Sequence, residues 1–517
     1  MTHSDDLHQL IKRLSKGERA YFKKFAYKQN RSEGDDRFYL KLFDYIDSME
    51  NFESEKITRK FSKNNPSFNL PTAKNYLSNL LMRSLREYQA QNDPQAQLKK
   101  LIIDIEILLD KGLKRQAEKL TRKAKLLAEE NENYYALWRI RELTDRLIPI
   151  DKNEYQNKEA AYLYKKDLLQ TISNATELAW LRKKTHLSIY AKFGGDIRTS
   201  EAKEELAKIL ETELLQCENK AQSFEAKYYF NSLYGYYYRA IGDNEKSLKY
   251  RTKTVELFNQ QPNLKIIFKT LYLGGMFNLL LMLNLLRRFE DFDRFFSEFE
   301  EFTNEKFPRA SHYQQSYLLT FNALQIEKNN LSSEYDKNIP VIKSIEEQLT
   351  FYSKQLNERK LNDFYLEIAT TYFGLEKHKA SLEWLNKTMN EEHHRYRYTN
   401  ESKYLVVMIM RIILHYELGN FDILESLLKS TKRAIGQAAN PMQFEELILD
   451  HLKQIAAFAD SDEAQIKLKE FYAVILKSED CPEMNTIGLS YFDFASWAYS
   501  KLNGVSFVEA RQQSVLT

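Results

Sequence analysis

Glycine and proline are scarce in this chain, 14 and 9 in 517 residues. So few helix breakers exclude collagen-like and Pro/Gly-rich flexible architectures, and weigh against the turn-dense all-β folds. Cysteine is scarcer still. Cys217 and Cys481 lie far apart with no CxxC, so neither a disulfide framework nor a zinc site is expected, and a reducing cytoplasm is the setting implied. Charge of one sign is lacking too: Lys+Arg 76 against Asp+Glu 73 leaves +3, and no global field draws the chain to nucleic acid or to a membrane. None of the nine histidines falls in an HExxH, and GxxxxGK[ST], GxGxxG and GxSxG are all missing. Phosphate-cradling loops and a nucleophile elbow are thereby excluded, and no catalytic residue, metal ligand or cofactor is assigned. The opening MTHSDDLHQLIKRLSKGERAYFKKF lacks the apolar core of a signal peptide. Long apolar runs reduce to one, residues 266–286 (IIFKTLYLGGMFNLLLMLNLL), roughly long enough to span a bilayer. Lys269, Asn278 and Asn284 interrupt it, and a helix that is apolar all round also suits a protein interior, so a buried helix and no membrane contact are expected.

What is present is helical patterning. Leu, Lys, Glu and Ala abound, apolar residues recur at i, i+3, i+4 and i+7, and strand-like alternation is almost absent, so the fold class is all-α. Breaks recur at Gly112, Gly194-Gly195, Gly242-Asp243, Arg287-Arg288, Asn329-Asn330, Lys377, Gly419-Asn420, Asp460 and Asn503-Gly504. From 242 to 287 is 45 residues, from 287 to 329 is 42, and from 329 to 377 is 48; the steps on to 419, 460 and 503 are 42, 41 and 43. A period of about 40 to 50 residues signals stacked helical hairpins, each needing a neighbour to cover its apolar face.

The stretch SLYGYYYRAIGDNEKSLKY, Ser232 to Tyr250, places Gly235, Tyr238 and then Gly242-Asp243 in order, with Leu248 and Val255 continuing an apolar face. In this it resembles the tetratricopeptide repeat (TPR), where a small residue lets two helices approach, an aromatic follows and a turn closes the pair. Ala117 and Ala124 after Gly112, Phe421 after Gly419-Asn420, and the segment around Lys377-His378 resemble it in weaker form. The spacing exceeds the family's usual repeat of about 34 residues, so longer helices or linkers are expected. The resemblance implies a TPR-like α-solenoid over residues 93–517, and the tyrosines are first of all packing residues. High Lys, Asn, Tyr and Phe usage suits a bacterium with an AT-rich genome.

Residues 1–92 read as a separate small helical domain, either a cap on the array or a helix-turn-helix-like reader. Ser15 with Glu18 forms a capping box ahead of Tyr21, Phe22 and Phe25, KLFDYIDSM makes a second helix, and a third starts at Pro71 with Leu77, Leu80, Leu81, Leu85 and Tyr88 on one face. The opposite face offers Lys74, Asn75, Asn79, Arg83 and Arg86, groups that can meet phosphates and base edges if a helix enters a groove. In this the chain is similar to peptide-responsive bacterial regulators that join such a domain to a TPR array. HHRYRY, 393–398, mixes cations and aromatics as nucleic-acid and peptide sites do, but reads first as a linker between hairpins that enters the helix holding Tyr404 and Met408.

Within the resemblance, the first helix of each hairpin lines a concave groove, and Gly235 in the small-residue position implies Tyr229, Ser232, Tyr236 and Arg239 on that side. Tyr and Arg dominate binding energy where a partner excludes water. Arg239 in particular would be costly to bury without a carboxylate. The expected function is a non-enzymatic scaffold or adaptor that binds a protein or peptide; the alternative is a transcriptional regulator with an N-terminal DNA-binding domain and a TPR-like sensor.

Overall fold

The computed structural model describes residues 5–29, 36–63, 65–147, 153–192, 197, 200–306, 312–352, 358–388, 401–437, 443–458, 463–477 and 492–514, and every regular element among them is helical. The chain opens with α1 (Asp6–Lys12), α2 (Lys16–Gln29), α3 (Asp36–Ser48), α4 (Ser54–Ser62) and α5 (Leu70–Asn92). The capping box forms as its spacing demands: the Ser15 amide donates to Glu18 Oε2 at 2.7 Å and the Glu18 amide to Ser15 Oγ at 3.2 Å. Helix α5 is capped by Asn69, whose Oδ1 accepts from the Thr72 amide at 3.0 Å, with Pro71 in the first turn where no N–H is needed. Its expected face is buried at Leu77, Leu80, Leu81 and Leu85, in one apolar cluster that runs from Leu7 to Leu85. Sequence patterning anticipated three helices here; α1 and α4 are too short for a periodic signal.

Next come α6 (Pro94–Asp110), α7 (Lys114–Glu130), α8 (Tyr134–Thr144), the 34-residue α9 (Glu154–Leu187) and α10 (Ser200–Leu210). Paired helices follow: α11 (Phe224–Ala240) with α12 (Asn244–Gln260), then, after the single turn α13 (Leu264–Ile267), α14 (Lys269–Leu285) with α15 (Phe289–Lys306). The pairs continue as α16 (His312–Leu331) and α17 (Asn338–Tyr352), α18 (Glu358–Gly374) and α19 (His378–Lys387), and α20 (Glu401–Glu417) and α21 (Leu424–Gly436). Last are α22 (Gln443–Ala457), α23 (Glu463–Lys477), α24 (Phe494–Asn503) and α25 (Phe507–Ser514). Packing follows chain order: α11 on α12, α12 on α14, α14 on α15 and α16, α16 on α18, α18 on α19, α19 on α20.

One turn recurs. Gly112, Glu132, Gly242, Arg287, Ser333, Glu376, Gly419 and Gly504 all have positive φ, from +48° to +89°. At Gly242 the Asp243 amide donates back to the Tyr238 carbonyl at 2.9 Å and the Gly242 amide to Arg239 at 3.3 Å; the same two bonds recur at Arg287, Ser333, Glu376 and Gly419. This is the Schellman closure, which satisfies the last carbonyls of one helix while reversing the chain into the next. Half of these turns use Glu, Arg or Ser in a conformation that favours glycine, which is why glycine alone did not mark them.

A second regularity follows from the turn. At six of the eight turns the residues seven before and five after the left-handed one are both buried: Ile105 with Ala117, Gly235 with Ser247, Leu280 with Phe292, Ile326 with Asn338, Ala369 with Ser381, Ile412 with Leu424. Ser247 Oγ donates to the Gly235 carbonyl at 2.8 Å and Ser381 Oγ to that of Ala369 at 2.7 Å, so small residues at these positions set how closely two helices approach.

Three expectations meet corrections. Asn329 and Asn330 are not a break: α16 runs through them to Leu331, and the turn falls at Ser333. Their carboxamides are buried and pair with one another through Asn338 and Thr371, at 2.8–3.0 Å. The apolar run 266–286 is divided at Phe268 between α13 and α14, with Tyr272, Leu273, Met276, Leu279 and Leu280 buried, and no helix among the described residues is long and apolar enough to cross a membrane. Finally, the end of the chain leaves the neighbour-on-neighbour order. Trp497 Nε1 on α24 donates to Glu417 on α20 (2.7 Å), the Phe507 amide to Glu376 after α18 (3.1 Å), and Arg511 to the Asn330 carbonyl of α16 (2.6 Å). The last pair crosses the turn ends of three earlier helices, in an apolar cluster running from Ile326 to Phe507. Gly194-Gly195, Asp460 and the segment 393–398 lie outside the described residues.

Candidate functional site

Helix α11 carries the tyrosine-rich stretch, and its packing sorts those residues. Tyr234 and Tyr238 stack on Tyr250 of α12 with ring centroids 4.9 and 5.6 Å apart, and burial pushes the Tyr234 phenol up to about 12. These rings join the two helices. On another side of α11, Tyr229 and Tyr236 face α9, where the Arg182 guanidinium lies 5.6 and 5.9 Å from their ring centroids. Tyr229 Oη donates to Glu225 at 2.6 Å, and burial followed by that carboxylate raises its pKa far above the ordinary value.

Beside Tyr229 opens a cleft of about 310 Å³. One wall is the turn after α7, Asn131 to Tyr135; another is α9 from Thr171 to Ala179; the floor is the start of α11 with Ser223 and Glu225. Glu132, at the left-handed position of its turn, aims its carboxylate at the N-terminus of α11, where the Phe224 amide donates to it at 2.7 Å. A carboxylate is favourable there because the first amides of a helix lack intrahelical acceptors. Asn133 caps α8 through the Ala136 amide at 2.9 Å and donates to Gln95 at 2.6 Å, which fixes the rim. Glu132 and Glu225 are the charged side chains of the lining.

Ser232 and Tyr236 line a separate recess with Arg251, Thr254, Gly275 and Asn278, too small for more than a water-sized group. Arg251 is 5% exposed. Its Nη1 donates to the Asn278 carbonyl at 2.5 Å, no carboxylate pairs with it among the described residues, and burial pulls its pKa down to about 10. Gly235 makes room for it, since a Cβ there would lie 3.1 Å from Arg251 Cγ.

Of the four residues implied by the resemblance, Tyr229 lines the cleft, Ser232 and Tyr236 line the recess, and Arg239 is half-buried on the same helix, lining neither. Arg239 is only half-buried, whereas among the described residues the arginine buried without a carboxylate is Arg251. Its sequence position carried a signal, for it interrupts the apolar face of α12 between Leu248 and Val255. Tyr134, Tyr135 and Asn131 carried none, lying about a hundred positions from Tyr229. On α5, Asn75, Asn79, Arg83 and Arg86 are exposed, whereas Lys74 is half-buried with its ammonium 4.7 Å from the Phe52 ring. No family model matches the chain, and no curated protein matches it.

Proposed function

We propose that this chain is a non-enzymatic cytoplasmic interaction protein, a TPR-like array whose cleft beside Tyr229 holds an extended peptide segment of a partner protein. The array reading is supported by the repeated Schellman turn and by the buried pairs seven before and five after it. The cleft carries the functional reading. Its carboxamides, Gln95, Asn131 and Asn133, belong to a group that both donates and accepts, as a peptide main chain requires. Tyr134, Tyr135 and Tyr229 supply contact area at low entropy cost. With Glu132 and Glu225 as the charged groups of the lining, a segment bearing lysine or arginine is favoured over an acidic one. The test is selection of a random-peptide display library on the intact protein, followed by titration of the winners against Tyr135→Ala plus Tyr229→Ala, with helicity checked by circular dichroism. Enrichment of basic peptides that lose affinity for the double variant is expected; winners that bind the folded variant equally well defeat the reading.

A further inference from the structure

Helix α9 is buried along one side against α8 and α11, through Leu168, Leu178 and Leu181. At 34 residues it is about 51 Å long. Its other side bears large apolar residues in solvent: Tyr155 is 77% exposed, Tyr162 60%, Leu169 51%, Trp180 58% and Leu187 42%. Their spacings are 7, 7, 11 and 7 positions, which at about 100° per residue keeps all five within an arc of about 40°. The stripe lies opposite the buried side and about a third of a turn from the cleft at Tyr229. A helix apolar on two opposed faces buries only one of them among the described residues.

The stripe is symmetric about position 171. Tyr155 lies as far before that point as Leu187 lies after it, Tyr162 matches Trp180, and Leu169 matches Ser173. Its charged edge has nearly the same symmetry, centred half a position further on, with opposite signs: Glu159 corresponds to Lys184, and Lys166 to Glu177, all exposed. A two-fold axis through the middle of the helix therefore sets Tyr155 on the second copy's Leu187 and Tyr162 on its Trp180. The same axis brings Glu159 within one residue's rise, about 1.5 Å, of level with the second copy's Lys184, and Lys166 likewise with its Glu177. Self-complementarity under reversal is what an isologous antiparallel contact needs and what a different partner would not require. On the far edge, at the same angular distance from the stripe, Lys158 and Lys183 come together; both are exposed, so solvent screens them. We infer that α9 pairs antiparallel with α9 of a second copy of this chain, through the Tyr155–Leu187 stripe.

The experiment is sedimentation velocity of the full chain over a range of concentrations at low salt, with three variants whose helicity is checked. The wild type should form a dimer; Trp180→Ala should weaken it by about thirtyfold or more, as loss of a central aromatic anchor does. Lys166→Glu alone, which sets two carboxylates across the seam, should weaken it by about tenfold. Adding Glu177→Lys to that variant should restore the wild-type dimer, an outcome only antiparallel self-pairing produces. A chain that stays monomeric at all concentrations overturns the inference, as does a dimer indifferent to the charge variants. Co-sedimentation of a monomeric wild type with vesicles of phosphatidylcholine and phosphatidylserine would also overturn it, assigning the stripe to a lipid surface.

Discussion

Arg511, on the last helix, donates from Nη1 to the carbonyl oxygen of Asn330 at 2.6 Å, across 181 positions of sequence. The same nitrogen donates to Tyr335 Oη at 2.7 Å, and Asp493 lies 3.4 Å from Nε. Arg511 is 7% exposed, so these partners replace the water it gave up. Replacing it by methionine leaves Asp493 without its cation and the Asn330 carbonyl without this donor. The Arg511→Met variant should lose about 2–4 kcal/mol in chemical denaturation. The loss should be read by hydrogen exchange in α16 and α18 as well as in α25, since the contact joins them.

Two glycines test two different constraints. Gly419 has φ +70° with nothing within 4 Å of an added Cβ, so Gly419→Ala meets backbone strain alone and should cost about 1 kcal/mol. Gly374 has an ordinary helical φ, but a Cβ there would run into the ring of Tyr335, which is 2% exposed and held by Arg511. Gly374→Ala should therefore cost about 2–3 kcal/mol, more than Gly419→Ala, despite its better helix propensity. Equal losses at the two sites in urea titrations would contradict this separation.

Acidification should weaken the C-terminal half. Burial, then the nearby Arg411, holds His415 below its ordinary 6.5, and Asn420 Nδ2 lies 3.1 Å from its Nδ1. Burial also lowers His378, although Glu417 pulls the other way and Lys501 adds to the depression. Below 6.5 the unfolded chain takes up protons that the folded one resists, so stability present at neutral pH falls as pH drops from about 6.5 towards 5. Glu218 and Glu334, held below the ordinary carboxylate value, contribute only at lower pH. Denaturation midpoints measured across that window should fall, and His415→Gln, which keeps an acceptor for Asn420, should flatten part of the slope.

Arg251 is expected to respond in the opposite sense to Arg511. Its Nη1 donates to the Asn278 carbonyl at 2.5 Å, and no carboxylate offsets its burial among the described residues. Arg251→Met keeps the stem that fills the space under Gly235 and removes the charge, so stability should be unchanged or higher by about 1–4 kcal/mol. A measured loss above about 2 kcal/mol would show that the guanidinium itself holds α12 to α14.

The sequence by itself determined what is local. The capping box at Ser15 and Glu18, the start of α5 at Pro71, the turns at Gly112, Gly242, Gly419 and Gly504, and the burial of Ala117 and Ala124 each depend on a few neighbouring residues. Residue type and spacing suffice there, because capping, left-handed φ and helical periodicity are properties of one turn or one face. Tertiary structure decided the rest. Glu132 and Ser333, where no break was expected, take a conformation their own side chains disfavour, as do Arg287 and Glu376 at breaks the sequence did mark, held by the packing of the helices they join. The cleft draws its walls from 131–135, 171–179 and 223–229, the last helix closes on residues about 180 positions earlier, and α9 covers one apolar face while baring the other. Such contacts form when elements far apart in the chain meet, and a one-dimensional pattern gives each face its polarity without saying which neighbour will cover it.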